Sequence, residues 1–377
     1  MRVANIYLIR HCESEGNACR RAQAQTDALV TRKGYEQNEM LRSRFQDIPI
    51  DAIYTSDTFR SIMTATPIAR ERNLPIRVRF LLRELTTGVW EDCAWGNIAN
   101  EYPAEHDVWT RTPWITTAPG ATTFQQVSDR MIYSIRRIAK EVGDGNALVV
   151  SHSCSIKASL CSMLRMPMER VGEVGHGDNT SISLLHVDKE GNIEVVYRND
   201  DSHLPDHLRR AWNGVAGSDV NMTIYPCDPQ SEMDVLVEMA SAYSKERGIT
   251  FDPEAYLEGV LRQMEKDPNC IGIGRLKGRV VGFVRYGSEA ELPSGYGVVQ
   301  EMYVVPELQG IGYSEQLFGY AVHEIRYQNK ISVAMRKAVS AEEQRMFTRF
   351  TFCEMNGFPA YMELSLIAPP CPYPVLP

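Results

Sequence analysis

Arg10, His11 and Asn17 form the first group of side chains in this chain that is able to do chemistry. They follow an apolar run at residues 3–9, in the stretch Leu-Ile-Arg-His-Cys-Glu-Ser-Glu-Gly-Asn. An arginine offers a rigid fork of donors to phosphoryl oxygens, and an imidazole can attack phosphorus and hold it as phosphohistidine. The alternative is a strand end whose histidine only caps a loop, and these residues alone leave both interpretations open.

Charged residues further along the chain favour phosphate chemistry. A second β-rich run at residues 53–57 precedes a predicted helix that carries Arg60. The stretch Leu-Arg-Glu-Leu then places Glu84, and a buried-strand pattern at residues 147–151 ends at His152. An open α/β sheet places its ligand groups just past the carboxyl ends of its strands. The pattern therefore predicts a phosphate pocket at that edge of a sheet.

With several motifs matching in order, residues 1–217 resemble the histidine phosphatase superfamily, which includes phosphoglycerate mutases and broad-specificity phosphatases. The resemblance implies a three-layer α/β/α phosphoglycerate mutase-like domain that needs no metal. It assigns the roles of nucleophile to His11, proton donor to Glu84, second pocket histidine to His152, and phosphate ligands to Arg10, Asn17 and Arg60. Two arginines and a second histidine would supply positive charge where negative charge accumulates during transfer.

Two residues depart from the family pattern. Cys12 follows the nucleophile and Asp92 follows a Trp-Glu pair, and glycine is usual at both positions. Neither change removes a reacting group, so we expect an active enzyme rather than a degenerate scaffold.

The segment between the predicted acid and the second histidine favours a phosphatase over a mutase. It lacks the long insertion that accompanies mutase activity in this family. Its Trp109 and Trp114 lie in a lid-like stretch that would select the substrate. Further on, His203 and His207 have a spacing seen in metal sites, but Pro205 argues against a regular helix there, so no metal site is predicted.

The chain is long enough for a second domain, and a small-residue stretch at residues 212–219 predicts the boundary. Beyond it, the pattern predicts a strand, two helices and a hairpin around Lys277 and Gly278. A strand at residues 298–305 then leads into a glycine-rich turn and a helix at residues 314–327. Such a turn leaves backbone N–H groups at a helix N-terminus, where a pyrophosphate can bind.

Residues 218–368 resemble the GNAT N-acetyltransferases, which implies an α+β fold and acetyl-CoA as cosubstrate. Gln309, Gly310 and Gly312 match the acetyl-CoA motif, and Ser314 stands where glycine or alanine is usual. The resemblance assigns cofactor binding to Tyr303, Val304, Val305, Gln309, Gly310, Ile311, Gly312, Tyr313 and Ser314. Residues 352–358 resemble the helix-to-strand signature near the end of that domain.

Acetyl transfer needs a base for the ammonium and an acid for the departing thiolate. Glu301, on the strand that leads to the loop, is the candidate base, directly or through water. Cys353 stands where many family members have tyrosine. The acid is therefore the Cys353 thiol, Tyr361 or Tyr313, or water.

Composition excludes several partners. The net charge is −8, most of it in the second half, which disfavours a nucleic-acid track. No apolar run approaches the ~20 residues that would cross a bilayer. Nine cysteines without a C-x-x-C pair, and no signal-like start, predict a reducing cytoplasm. The Pro-rich tail at residues 369–377 is expected to be stiff and to cover a surface, either of this chain or of a homodimer partner.

The favoured function is a bifunctional enzyme. Its phosphatase and acetyltransferase would act on one small metabolite or on successive intermediates, with a phosphomonoester and an amine as substrates, and each domain would have its own core. The alternative is a phosphatase whose second domain senses acyl-CoA without transferring the acetyl group. A third reading has both domains acting on proteins.

Overall fold

The computed structural model describes residues 3–115, 118–209, 220–369 and 374–376. The predicted boundary between residues 217 and 218 lies outside these ranges. No described helix combines the length and apolar character needed to cross a membrane.

The first domain is a mixed sheet covered by helices. Its strands are β1 (Ala4–Arg10), β2 (Ala52–Thr55), β3 (Ile76–Val78), β4 (Asn146–Ser151), β5 (Ile182–Val187) and β6 (Ile193–Asp200). Its helices are α1 (Glu15–Ala18), α2 (Arg32–Arg44), α3 (Phe59–Arg72), α4 (Trp95–Glu101), α5 (Pro103–Arg111), α6 (Phe124–Val142) and α7 (Ser153–Met163). The strand order β3-β2-β4-β1-β5-β6 is parallel from β3 to β1, and β5 and β6 are antiparallel.

Buried side chains on both faces of this sheet explain why its central strands read as continuous apolar runs. One cluster packs the sheet against α6 and α7, and another packs it against α2 and α3. Helix α6 buries Val127, Met131, Ile135 and Ile138, whose spacing of three or four places them on one face. The predicted three-layer α/β/α fold is confirmed.

The second domain is an α+β unit on a sheet of its own. Its strands are β7 (Thr223–Pro226), β8 (Ile271–Leu276), β9 (Arg279–Gly287), β10 (Tyr296–Val304), β11 (Ser332–Arg336), β12 (Cys353–Glu354) and β13 (Tyr361–Ser365). Its helices are α8 (Met233–Glu246), α9 (Pro253–Met264), α10 (Tyr313–Tyr327) and α11 (Ala341–Arg349). The strand order is β12-β13-β11-β10-β9-β8-β7. The hairpin turns at Lys277 and Gly278, both with positive φ, as predicted.

Residues 352–358, which resemble the helix-to-strand signature, lie between helix α11 and strand β13. Helix α11 already ends at Arg349, and Cys353 and Glu354 pair as the edge strand β12. Thr351 takes the left-handed conformation after the helix, with φ of 60°. Glycine usually occupies such a position, so a threonine there gives no sequence signal for the end of the helix.

The Pro-rich tail returns to the first domain. Val375 and Leu376 form β14, which pairs in parallel with β3 at the edge of the first sheet. The described part of the tail therefore covers a surface of its own chain.

The two domains do not have the separate cores that we expected. Ala18 and Cys19, just after the loop that carries His11, belong to the same buried cluster as Leu317 and Phe318 of α10. A Cβ atom on Gly319 would lie 2.6 Å from Cys19 Cβ, so only glycine allows this approach. The domains are packed against each other beside the predicted phosphate pocket.

Candidate active sites

The ends of two neighbouring parallel strands bring the two predicted histidines together. Arg10 at the end of β1 is in register with Ser151 at the end of β4, so His11 and His152 follow side by side. Their ring centroids are 5.1 Å apart. Both rings are buried, and His152 Nε2 lies 2.8 Å from Ser56 Oγ.

His11 is held with one ring nitrogen engaged. Its Nδ1 lies 2.7 Å from the carbonyl oxygen of Cys12, which fits a tautomer that donates from Nδ1 and leaves a lone pair on Nε2. Burial, together with the charges of Arg60 and Arg10, lowers the pKa of His11 well below its usual value. Burial and the Arg60 charge lower the pKa of His152 as well. His11 is therefore neutral at physiological pH.

The predicted phosphate ligands surround these rings. Arg60 on α3 is 1% exposed and donates to the carbonyls of Thr26 and Ala24, each at 2.9 Å. Its Nη2 lies 3.4 Å from His152 Nδ1. Arg10 donates to the Gly177 carbonyl at 2.9 Å. These backbone contacts fix the two guanidinium groups before any phosphate arrives.

Asn17 reaches the same place through a residue that the sequence reading missed. Its Oδ1 accepts from Asn179 Nδ2 at 3.2 Å, and Asn179 Nδ2 also donates to the His11 carbonyl at 2.8 Å. A lone Asn after a glycine-rich stretch gives no signal of such a role. Only the fold brings residues so far apart in sequence into contact.

The carboxylate of Glu84 lies against the first turn of α7. Its Oε1 accepts from the backbone N–H of Ser155 at 2.8 Å and of Leu85 at 2.9 Å, and its Oε2 accepts from Cys154 N–H at 2.9 Å. The side chain is 8% exposed and lines the same cavity as His11. These donors fix the carboxylate in one orientation, with Oε2 the less occupied oxygen.

The loop that holds Arg60 depends on a second carboxylate that the sequence reading also left without a role. Glu91 accepts from the N–H groups of Ala24, Gln25 and Thr26 and from the Thr87 hydroxyl. Burial opposes ionisation, but these hydrogen bonds outweigh it and lower the pKa of Glu91. An ionised Glu91 therefore secures the backbone carbonyls to which Arg60 donates.

Neither departure from the family pattern obstructs the site. Cys12 is fully buried, its backbone N–H donates to Thr64 Oγ1 at 2.9 Å, and its thiol is directed toward the Arg60 carbonyl at 3.9 Å. Burial raises the pKa of Cys12 to about 11, which leaves the thiol protonated. Asp92 has φ of 58°, the conformation for which glycine is usually chosen.

A cavity of about 760 Å³ opens above His11. Trp95, Trp109 and Trp114 line it, so the predicted lid stretch does lie over the site. Asn221 of the second domain lines it too, and accepts from Arg20 Nε at 2.9 Å. The wall of the predicted phosphate pocket is thus completed by both domains.

The second candidate site lies where two parallel strands separate. β10 pairs with β11 only over residues 296–299 and then continues to Val304. Tyr303, Val304, Gln309 and Ser314 line a cavity of about 50 Å³ there. Gln309 Nε2 donates to the Val304 carbonyl at 2.9 Å, which ties the loop to the strand.

The loop between β10 and α10 has the conformation that a pyrophosphate cradle needs. Gly310 and Gly312 have φ of 77° and 101°, and Gly312 precedes the first turn of α10 with no side chain to cap it. A Cβ atom on Gly310 would lie 3.3 Å from Arg345 Nη2, so a cation is present beside the loop. Of the other predicted ligands, Val305 continues the chain after β10, Ile311 is 48% exposed and Tyr313 is buried. This cradle fits the diphosphate of CoA.

Glu301 lies at a bulge in β10, on the side of α9. Its Oε2 accepts the Tyr256 hydroxyl at 2.8 Å and its Oε1 lies 3.4 Å from Arg285 Nη1. Burial, followed by the charge of Glu301, raises the pKa of Tyr256. Glu301 thus has a cation and a phenol as neighbours, and the next residue, Met302, lines the candidate cofactor cavity.

Cys353 is not brought to Glu301. It lies on β12, and strands β13 and β11 separate it from β10. Its thiol is exposed and directed toward the Glu363 carbonyl at 3.7 Å. Tyr361 uses its hydroxyl to donate to Glu289 and Glu291. Tyr243, which lines the cofactor cavity, was missed by sequence reading.

Comparisons with known proteins match both halves. The model of the histidine phosphatase superfamily, branch 1, matches residues 6–201, and that of the acetyltransferase (GNAT) family matches residues 236–352. Both predicted resemblances are therefore confirmed.

Three relatives cover the first half. Phosphoserine phosphatase 1 of Hydrogenobacter thermophilus is 26% identical over 213 residues, which are 56% of this chain and 100% of that protein. A probable phosphoglycerate mutase, GpmB, of Salmonella typhi is 31% identical over 166 residues, 43% of this chain and 75% of that protein. The solved structure of Bacillus stearothermophilus YhfR matches with a TM-score of 0.51 and 27% identity, covering 53% of this chain and 98% of that one.

Proposed function

The chain belongs to the histidine phosphatase superfamily and carries a GNAT domain, and from this premise we propose that it is a bifunctional enzyme. The first domain would hydrolyse a small phosphomonoester through phosphohistidine, without a metal. The second would transfer the acetyl group of acetyl-CoA to an amine of the same metabolite or of a successive intermediate. The observation that carries the first activity is a neutral, buried His11 between two anchored arginines.

The first step is attack by His11. The Nε2 lone pair forms an N–P bond while the P–O bond of the ester breaks, and Nδ1 stays bonded to the Cys12 carbonyl. Arg10 and Arg60 neutralise the charge on the phosphoryl oxygens. Because backbone carbonyls already orient both arginines, little reorganisation accompanies the reaction.

Glu84 handles the protons. In its acid form it protonates the departing alkoxide, and the resulting carboxylate then takes a proton from the water that attacks phosphohistidine. The products are the alcohol and inorganic phosphate, with His11 and Glu84 restored. The Cys154 N–H donates to Oε2 and the Ser155 N–H to Oε1, which keeps the group in place throughout.

The second activity rests on the cradle at Gly310 and Gly312 and on Glu301. When bound, acetyl-CoA supplies the thioester that the amine attacks. Gln309 holds the loop, and Glu301 would accept the proton of the ammonium, directly or through water. Because Cys353 does not line the cofactor cavity and Tyr243 does, Tyr243 or water is better placed to protonate the departing thiolate.

The phosphatase proposal is tested by trapping the intermediate. Full-length protein, treated with EDTA and mixed with a ³²P-labelled phosphomonoester, should carry acid-labile phosphate after a rapid quench, and His11→Ala should carry none. Activity that disappears with EDTA, or phosphate that persists in His11→Ala, would refute the phosphohistidine route.

Two observations favour a second candidate function for the GNAT domain. Cys353 is absent from the cofactor cavity and Glu301 is paired with Arg285, so the domain would bind acyl-CoA as a regulator without transferring it. Two measurements distinguish the transferase from the regulator. Calorimetry measures acetyl-CoA binding, and a thiol assay measures the release of CoA in the presence of amines. Glu301→Gln should keep acetyl-CoA binding and lower transfer, whereas Glu307→Gln, at an exposed ion pair, should change neither. Binding without thiol release for any amine would favour the regulator.

A further inference from the structure

The loop that follows His11 is held by arginines of the other domain. Glu15 in α1 accepts two hydrogen bonds from Arg326 of α10, at 2.6 and 2.8 Å. Glu13 lies 3.2 and 3.3 Å from Arg349 Nη2 at the end of α11. Both glutamates lie within four residues of the nucleophile.

These carboxylates depend on their partners because they are buried. The side chains of Glu15 and Glu13 are 4% and 9% exposed. A carboxylate removed from water needs a cation and hydrogen bonds to remain in place. Lys33 lies 3.8 Å from Glu13, so Glu13 has a second cation, whereas Arg326 is the cation paired with Glu15 in the described contacts.

The contact continues through packing. Gly319 of α10 lies against Cys19, and both Ala18 and Cys19 belong to the core of the second domain. Helix α1 is thus clamped between the ion pair at Glu15 and the close approach at Cys19.

This clamp reaches the reacting groups in few steps. Asn17 lies in α1 between Glu15 and Cys19, and its Oδ1 orients Asn179 Nδ2. Asn179 holds the carbonyl of His11. The rotation of α1 therefore sets the position of Asn17 and the backbone of His11.

We propose that Arg326 and Arg349 are positioning residues of the phosphatase reaction, supplied by the acetyltransferase domain. They act through Glu15 and Glu13 on the loop that carries His11 and Asn17. The phosphatase site is complete only when the second domain is docked. This inference rests on the proposed phosphohistidine chemistry.

The test measures the rate constant for phosphorylation of His11 by rapid quench in the full chain. Arg326→Gln should lower that rate constant at least about tenfold, because small misplacements of reacting groups have large kinetic effects. Arg326→Lys, which keeps the charge, should recover part of the loss. Arg262→Gln removes an exposed ion pair with Glu258 in the same domain and should leave the rate unchanged.

The amplitude of the burst distinguishes positioning from instability. A merely structural role would reduce the number of active sites, and hence the amplitude, while each active molecule kept the wild-type rate constant. Acetyl-CoA binding, measured by calorimetry, should remain intact in Arg326→Gln and show that the second domain is folded.

A double-mutant cycle tests the route through Glu15. Glu15→Gln and Arg326→Gln should each slow phosphorylation, and the double variant should be no slower than the slower single variant. Additive losses, or a wild-type rate constant in Arg326→Gln, would overturn the inference. Absence of phosphohistidine in the wild-type protein would instead refute the proposed function, so the two failures are distinguishable.

Discussion

His323 of the acetyltransferase domain lies 2.7 Å from Asp92 of the phosphatase domain, measured from Nδ1 to Oδ2. Arg21 also contacts this carboxylate, at 2.9 Å. Asp92 occupies a left-handed backbone position, a conformation that favours glycine. The aspartate is therefore explained by the domain contact, since its side chain links two elements that a glycine would leave unlinked.

Asp92→Asn should lower the free energy of unfolding by about 1–2 kcal/mol at neutral pH, because hydrogen bonds to a charged group are lost. Burial alone would raise the pKa of Asp92, but His323 and Arg21 outweigh it, and the net pKa is lowered. A carboxyl with a depressed pKa contributes stability above its unfolded pKa of about 3.9, and that contribution is lost as the pH falls below it.

Urea unfolding of the wild type and Asp92→Asn at pH values above and below that point checks the prediction. The difference in free energy of unfolding between the wild type and Asp92→Asn should have its full size at neutral pH and should be smaller in acid. Asp107→Asn, at an exposed i,i+4 pair, is the control. A gap of equal size at both pH values would contradict the assignment to Asp92 ionisation.

His11 and His152 should remain neutral well below pH 6.5, since burial and nearby arginines lower the pKa of both. The unfolded chain then binds more protons than the folded one below about pH 6.5, so stability should decrease as the pH falls through that range. NMR of ¹⁵N-histidine-labelled protein checks the neutral forms. Titration of His11 or His152 near 6.5 would show that the charges of Arg10 and Arg60 do not act as described.

Glu84→Gln should slow alkyl phosphates by about 10²-fold or more and aryl phosphates much less, because a phenolate leaves with little need of a proton. Glutamine retains one oxygen acceptor for the Ser155 N–H, so thermal unfolding reports any loss of the contact at α7. Steady-state rates on a matched alkyl and aryl pair give the ratio. Equal losses of rate on both substrates would show that Glu84 is not the proton donor.

Gly312→Ala should weaken acetyl-CoA binding by an order of magnitude or so, as a side chain enters the cradle and the left-handed conformation costs about 1–2 kcal/mol. Gly278→Ala is a matched control, because its φ of 82° imposes similar strain and a Cβ there meets nothing within 4 Å. Calorimetry should find wild-type affinity in the control. Similar losses in both variants would indicate strain in the domain rather than a blocked cradle.

Local patterns were sufficient to predict both folds. They also singled out His11, Glu84 and His152, and the structure brings His11 next to His152 and into one cavity with Glu84. Thr351 shows where they failed. Its positive φ follows the end of α11, at a position where glycine usually marks the end of a helix. The contact between the two domains could not be predicted either. A glycine inside a helix, such as Gly319, does not indicate a partner until the structure shows Cys19 lying against it.

Because β14 pairs with β3, the second domain is connected to the first sheet at both of its ends. The polypeptide leaves the first sheet after Asp200 and returns to it at Val375, so residues between them form an excursion from one sheet back to the same sheet. When the contacts of Arg326 and Arg349 open, neither end of the excursion is free to diffuse away. A doubly anchored segment meets its docking surface at a higher effective concentration than a singly attached one. If the two domains separated, the return strand would therefore favour rapid redocking.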